Sequence, residues 1–509
     1  MPRSTPEFAA AIDLGSNSFH MIVARIQDGQ VSIIDRIRDS IRLGSGIDEN
    51  NIINDETQTQ ALACLKKFGQ RLADFPHGSV RAVGTNTLRN AANSQDFLLK
   101  AEEALGHPID IISGVEEARL IYLGVAHSLA ITNQQRLVMD IGGGSTELII
   151  GDDNGPMHME SMEMGCVSVS RRFFADGKIS AKRIDKARIF ACTELEPHVS
   201  TFQKLGWEQA IGASGTIRAV KKVVTTAGWS SDNITLDSLK QLIEKLATFD
   251  HINNIQLESL SEERIPVFIG GSIVLLATFE ALGIKQMEVS DRALREGLLH
   301  DLLGRLQDKD VRDASIMHLA ARYHSDQAQA ERVKHTALYI LKQIYQALSL
   351  DYEESEQWLS WAAELHEIGL DIAHNSHHHH AAYIIEHYDL AGFSQFEQRF
   401  LAALVRSHRR KLPTKLYKEL PKRISKPVKR LSVILRLAVI LHRSRSDNPL
   451  ADFTLQVKDK DNIELCLEPT WLAQHPLTRA DIEEEIGYLK SIDMALSLCQ
   501  EDQPPSAND

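Results

Sequence analysis

Two short segments carry the same chemistry at the same spacing. Asp13-Leu-Gly-Ser-Asn-Ser-Phe-His-Met-Ile-Val-Ala24 aligns without gaps on Asp140-Ile-Gly-Gly-Gly-Ser-Thr-Glu-Leu-Ile-Ile-Gly151. Each offers a carboxylate, then glycines, then hydroxyls. Glycine lets a backbone approach an anion closely and turn its N–H groups toward it, and hydroxyls add donors. Ser16, Asn17, Ser18, Gly142, Gly143, Gly144 and Ser145 therefore read as two phosphate cradles. Asp13 and Asp140 end the incoming strands, where a carboxylate could hold Mg²⁺ against phosphate, directly or through water. The copies diverge at one position: His20 stands where the second copy has Glu147. A third turn, Ile211-Gly-Ala-Ser-Gly-Thr-Ile217, follows an apolar run and opens a helix, placing Ser214, Gly215 and Thr216 at a helix N-terminus that suits an anion.

The surrounding pattern is that of an α/β chain. Phe8–Ile12, His20–Arg25, Val31–Ile37, Ser79–Val83 and Ile109–Ile112 read as strands, Asp55–Ala73 and Glu116–Ala126 as helices. The second copy starts a similar stretch with strands Leu137–Ile141 and Glu147–Ile150. Past residue 310 glycine becomes scarce, and helices are expected at Ala328–Leu348, Glu356–Glu367 and Gln395–Arg406. Strands Thr454–Val457 and Ile463–Leu467 and a helix near Asp481–Leu489 follow, then a polar tail ending DQPPSAND that reads as disordered.

The five cysteines are scattered and include no C-x-x-C, which disfavours a disulfide framework or zinc ribbon and favours a reducing cytosol. No signal-peptide pattern opens the chain. Val267–Phe279 is the most apolar run, but its 13 residues fall short of the roughly 20 that span a bilayer, so it is expected to be a buried helix rather than an integral membrane segment. The formal net charge is −13, which by itself argues against a polyanion binder. The distribution says otherwise. Residues 406–430 hold eleven basic side chains against one acidic, Glu419. Arg409, Arg410, Lys411, Lys415, Lys418 and Lys422 form the centre of this strip, which Pro413, Pro421 and Pro427 are expected to break into loops. With Tyr417 its only aromatic, the strip suits a phosphate chain better than nucleic acid.

Six ordered motifs carry a family resemblance: Asp13-Leu-Gly-Ser-Asn-Ser-Phe19, Gly84-Thr-Asn-Thr-Leu-Arg89, Ile112-Ser-Gly-Val-Glu-Glu-Ala-Arg119, Asp140-Ile-Gly-Gly-Gly-Ser-Thr-Glu147, Met164-Gly-Cys-Val167 and Gly212-Ala-Ser-Gly-Thr216. The chain resembles the exopolyphosphatase / guanosine pentaphosphate phosphohydrolase (Ppx/GppA) family, nearest its long exopolyphosphatase members, which Leu365-His-Glu-Ile-Gly369 also fits. The resemblance implies a duplicated α/β actin-like ATPase fold of the hexokinase/Hsp70, ribonuclease-H-like type, followed by an all-α HD-like domain and a small α+β domain. The expected boundaries are 1–130, 131–308, 309–447 and 448–509. It implies Glu117 as the catalytic group and Asp140 and Glu147 as Mg²⁺ ligands or water-positioning groups. Asp13, the cradle residues above, Arg89, Ser214, Gly215, Thr216 and Arg264 would hold phosphate. Mg²⁺, with K⁺ as a stimulant, a homodimer and a cytoplasmic location are also implied, with a peripheral inner-membrane contact left open.

The activity expected on this basis is an exopolyphosphatase that removes terminal orthophosphate processively from inorganic polyphosphate, the basic strip guiding the distal chain. Hydrolysis of guanosine pentaphosphate (pppGpp) at its 5′ end, alone or as a second activity, is the alternative, and a non-catalytic sensor of polyphosphate or nucleotide a third reading. His366-Glu367 sits where HD-type phosphohydrolases carry His-Asp, among His335, His374, the run His377–His380 and His387. A structural or substrate-guiding role is preferred there to a binuclear metal centre.

Overall fold

A computed structural model describes residues 6–499 apart from 28–29, 77, 133, 307–309, 447, 449 and 460, and the side chains of 30, 306, 422 and 423 are also outside that description. Lys422 of the basic strip and the C-terminal polar tail thus lie outside the described side chains and residues. The chain divides into two units, Met1–Val311 and Arg312–Asp509.

The first unit contains two sheets built to one plan. β1 (Phe8–Leu14), β2 (Phe19–Gln27), β3 (Gln30–Asp39), β4 (Val80–Gly84) and β5 (Ile109–Ile111) are ordered β3-β2-β1-β4-β5. β6 (Arg136–Ile141), β7 (Thr146–Asp152), β8 (Gly155–Met162), β9 (Gln209–Gly212), β10 (Ile234–Thr235) and β11 (Gln286–Val289) are ordered β10-β11-β9-β6-β7-β8. In each, three antiparallel strands are followed by two that run parallel to the first, so β6 repeats β1 and β9 repeats β4. The repeated motif occupies the same register twice: Asp13 pairs with His20, and Asp140 with Glu147. This is the duplicated actin-like fold that the motifs implied.

Two buried helices join the sheets. Gly114–Ala126 and Leu294–Leu306 share a core cluster with residues of both sheets, including Ala9, Ile22, Val138 and Ile149. They cross closely because Gly124 and Gly297 have no side chain: a Cβ would lie 2.0 Å from Ala293 O and 1.8 Å from Leu120 O, respectively. The apolar run foreseen at Val267–Phe279 extends into the helix Ile265–Leu282, which is buried through most of its length. By length and composition Glu262–Leu282 could reach across a bilayer, but its side chains fill the core of the second sheet's lobe.

The second unit is mainly helical. Observed helices Gln327–Ile344, Tyr352–Leu365 and Gln395–Arg406 match the sequence periodicity. Ser394 begins the last of these with a reciprocal cap, its hydroxyl accepting from Glu397 N at 3.2 Å and Glu397 Oε2 accepting from Ser394 N at 2.7 Å. β12 (Phe453–Asp459), β13 (Asn462–Leu467) and β14 (Ala495–Leu498) form a three-stranded sheet. Two expectations are corrected here. Cys466 and Cys499 are not separate thiols but are joined as a disulfide. β13 and β14 run parallel with Leu465 opposite Leu498, and this pairing brings together cysteines that are 33 residues apart. The basic strip is only partly loop: residues 407–413 lie outside the helices and Pro413 and Pro421 interrupt the strip, but helices Thr414–Glu419 and Lys422–Leu441 form, with Pro427 inside the second. The hydrogen bond that proline removes is offset by burial of Val428, Leu431, Val433, Ile434 and Leu435 beyond it.

Candidate active site

The two hairpin turns face one another across a cleft of about 410 Å³ in the first unit. Their approach depends on glycine. A Cβ on Gly143 would stand 2.7 Å from Ser16 Cβ, and one on Gly144 2.0 Å from Asn86 Oδ1. Gly142 N donates to Ser145 O at 2.9 Å, closing the second turn. Asp13, Ser16, Asn17, Ser18, Gly142, Gly143, Gly144 and Ser145 all line the cleft, as do Ser214, Gly215, Thr216 and Arg264. Ser214 caps the helix Gly215–Thr226, accepting from Ile217 N at 3.0 Å, so that helix directs its N-terminus at the cavity.

The paired glutamates of Ser113-Gly-Val-Glu-Glu-Ala-Arg119 separate in role. Ser113 caps the helix by accepting from Glu116 N at 3.1 Å. Glu116 then forms a buried fork with Arg119, at 2.8 and 2.9 Å, in a cluster that includes Asp301 and Arg81. Glu117 instead faces the cleft. It is only 8% exposed, and its Oε2 is buried without a hydrogen-bond partner. Burial first, and the neighbouring Glu147 second, push its carboxyl well above the ordinary range.

Arg89 departs from its expected place. It does not line the cleft: its Nη1 donates to Ile112 O at 2.7 Å and stands 3.7 Å from Glu117 Oε2. It is the cation nearest to Glu117 among the described ion pairs. Glu147 is fully buried, accepts from Ser161 Oγ at 2.9 Å, and leaves Oε2 unpartnered. Asp140 lines the cleft beside Asp13. Burial pushes Asp13 up to about 7, with Arg295 opposing and Asp140 reinforcing the rise. Burial and then Glu147 raise Asp140 to about 7 as well. Asp13, Glu117 and Asp140 thus line one cavity, with Glu147 close enough to raise Glu117 and Asp140, and hard oxygen donors of this kind suit Mg²⁺.

Sequence reasoning missed the basic side of the cleft. Arg36, Arg38, Arg218 and Arg295 line it with Arg264. Arg36 and Arg38 lie two apart on β3 and so share a face, a signal available in Asp35-Arg-Ile-Arg38. Arg295 lies far from any motif, and its Nη1 is 2.8 Å from His20 Nδ1. Burial, and then Arg295, hold His20 down at about 3, so it is neutral. Cys166, from Met164-Gly-Cys-Val167, also lines the cavity. Burial raises its thiol, which makes it a packing group rather than a nucleophile.

The basic strip lies in the second unit. Arg410, Lys411, Lys415 and Lys418 are exposed. Arg409 is half-buried and bonded to His377 Nε2, and Arg430 is buried and bonded to Leu348 O. Neither belongs to an exposed surface path.

A duplicated actin-like fold with a carboxylate-rich, arginine-faced phosphate cleft defines a phosphoryl-transfer protein, here a phosphoanhydride hydrolase. The chain belongs to the Ppx/GppA phosphatase family: that family's model matches residues 22–306, and the model "Ppx/GppA phosphatase, domain III" matches 311–486. It is 38% identical over 500 residues to the guanosine-5'-triphosphate,3'-diphosphate pyrophosphatase of Vibrio cholerae, covering 97% of this chain and 98% of that one. The protein so named from Pseudoalteromonas atlantica is 38% identical over 487 residues, covering 95% and 96%. Among solved structures, the Aquifex aeolicus Ppx/GppA member is 25% identical with a TM-score of 0.50, covering 59% of this chain and 98% of its own. An exopolyphosphatase from Cytophaga hutchinsonii shares the fold at 23% identity and a TM-score of 0.53, with the same coverage.

Proposed function

We propose that the protein hydrolyses the 5′-terminal phosphoanhydride of guanosine 5′-triphosphate 3′-diphosphate, releasing orthophosphate. The observation that carries the reaction is Glu117, buried, facing the phosphate cradle, with an oxygen that accepts no hydrogen bond. The substrate is inferred from the near-full-length similarity to relatives of that name, which favours the alternative over the exopolyphosphatase expected from the motifs. Five arginines on one cleft also suit a ligand with phosphates at both its 5′ and 3′ positions.

The terminal phosphoryl group lies between the two glycine turns, whose N–H groups and hydroxyls take its non-bridging oxygens. Glu117 accepts a proton from a water aimed in line with the leaving oxygen and directs it at phosphorus. Its raised pKa makes it a better base once ionised. Arginines and the N-terminus of the helix Gly215–Thr226 stabilise the charge left on the departing diphosphate. Mg²⁺ would be held by Asp13 and Asp140, with Glu147 behind them, and would neutralise phosphate charge when bound. No cysteine or serine serves as a nucleophile in this scheme.

The test measures orthophosphate release from pppGpp, GTP, short polyphosphate and long polyphosphate under one set of conditions. A kcat/KM for pppGpp above that for long polyphosphate is expected. The reverse order would return the reading to an exopolyphosphatase, with exposed Lys411, Lys415 and Lys418 as the chain guide.

A further inference from the structure

The second unit contains its own cavity, of about 390 Å³, within the 300–1,000 Å³ usual for small-molecule sites. Arg436 builds one wall. It forks onto Glu485, with Nε to Oε1 and Nη2 to Oε2 both 2.6 Å, and donates to Ser407 O at 2.6 Å and Arg410 O at 2.8 Å. These bonds pin the turn carrying His408, Arg409 and Arg410, and hold Arg410 at a left-handed φ of 62°, which non-glycine residues adopt sparingly.

Two sets of groups keep unused hydrogen-bonding capacity. The first consists of acceptors. His366 is 2% exposed, and its Nδ1 is 2.7 Å from Ala363 O. A carbonyl takes the N–H, so Nε2 carries a lone pair. That Nε2 is buried and unpartnered, and so is Glu367 Oε2. His366 Nε2 is 4.0 Å from Glu367 Oε1, which Arg445 occupies at 2.6 Å. The second set consists of donors. Arg436, Arg443 and Arg445 are paired with Glu485, Asp481 and Glu367, but no carboxylate pairs with Arg409 or Arg410 among the described residues. Arg409 donates to His377 Nε2, so His377 Nδ1 carries a hydrogen, and it too is buried without a partner.

Among the described residues the only three metal-type ligand atoms within 4.8 Å of one another belong to Glu464, Cys466 and Cys499. The ligand must be extended, with anionic oxygens for the arginines and neighbouring N–H donors for the two acceptors. We propose that this cavity is a second site, one that binds a guanine nucleotide. Phosphate oxygens meet Arg409, Arg410 and His377 Nδ1–H. The base's adjacent imino and amino donors meet Glu367 Oε2 and His366 Nε2. The site stands whichever phosphoanhydride the cleft hydrolyses.

The test is calorimetric titration of the full chain with GDP, IDP, ADP and pyrophosphate. IDP lacks the exocyclic amine and is expected to bind at least about tenfold more weakly than GDP, since a buried acceptor is left bare. Arg410→Ala alters an exposed side chain and is expected to weaken GDP and pyrophosphate at this site alike. Glu367→Gln should weaken GDP and leave pyrophosphate unchanged. Glu117→Gln, which tests the cleft, should leave this binding intact. Three results would each overturn the proposal: equal GDP affinity in wild type, Arg410→Ala and Glu367→Gln; equal affinity for GDP and IDP; or His366-dependent uptake of Zn²⁺ or Mn²⁺ without nucleotide binding.

Discussion

Replacing Glu117 by glutamine keeps the side chain's volume and removes only its ability to take a proton. A positioned general base contributes about 10²–10⁴-fold to rate, or about 3–5 kcal/mol of barrier at 1.36 kcal/mol per decade. The upper part of that range is expected here, because Glu117 is buried and the two nearby glutamates are engaged by other groups. Glu116 is tied to Arg119, and Glu147 is engaged by Ser161. The wild-type kcat/KM should also rise with pH until Glu117 is ionised, since burial and Glu147 favour its neutral form. Glu117→Gln should flatten that limb as well as lower the rate. The assay is initial-rate phosphate release from pppGpp between pH 5 and 9, with thermal melting as the folding check. The variant should melt at or above the wild-type temperature, because a buried charge surrounded by carboxylates has been neutralised. A folded Glu117→Gln protein with full activity and an unchanged pH limb would refute the assignment.

Three further predictions address the cleft and, separately, the second unit. Asp13 and Asp140 stand near 7 in the folded chain against an ordinary 3.8; the folded state holds their protons longer than the unfolded state does, so in chelator the melting temperature should fall as pH rises from about 4 to 7. Mg²⁺ needs them ionised, so its stabilisation should grow over the same interval, and a Mg²⁺ effect independent of pH would exclude these aspartates as its ligands. Gly143→Ala must move the turn bearing Ser16, since its Cβ would lie 2.7 Å from Ser16 Cβ; a displacement of this size should cost about 10²-fold in kcat, and full activity in a folded variant would show that the gap between the hairpins is not critical. Glu485→Ala strands the buried Arg436 charge and should cost about 3–5 kcal/mol in urea unfolding of the second unit, a prediction that a loss under 1 kcal/mol would exclude.

Much of the first unit was legible because its signals are local. The duplicated D-x-G turns sit between strands of alternating or apolar character, and the observed register puts Glu147 opposite Asp140 as the alignment required. What was not legible depends on distance along the chain. Gly155–Met162 was missed as a strand because its sequence, with Pro156, His158 and Glu160, is polar, and its place comes from pairing with β7. Arg89 sits in a recognisable motif, yet its guanidinium turns away toward Ile112 O. The cysteine pair follows from a strand adjacency that no spacing rule encodes.

The charge distribution needed the same correction in both units. A run of basic residues in sequence suggested one surface path, but folding scatters it: Arg430 is buried, Arg409 turns into the helical cavity, and Lys411, Lys415 and Lys418 stay outside. In the first unit the cleft arginines come from β3, the helix Gly215–Thr226, the segment before Ile265–Leu282 and the helix Leu294–Leu306, and no window of sequence contains more than two of them. Local charge density therefore overstated one site and concealed the other. Each acidic or basic side chain is costly to bury alone, so the informative residues are those that the fold buries and leaves without a partner. Among the described residues, buried side-chain atoms that make no hydrogen bond include one each on Glu117 and Glu147 by the cleft, and on His366, Glu367 and His377 in the helical cavity. The first pair marks where hydrolysis is proposed. The second group meets the same physical criterion, which is why a ligand, and not a vestige of packing, is assigned to it.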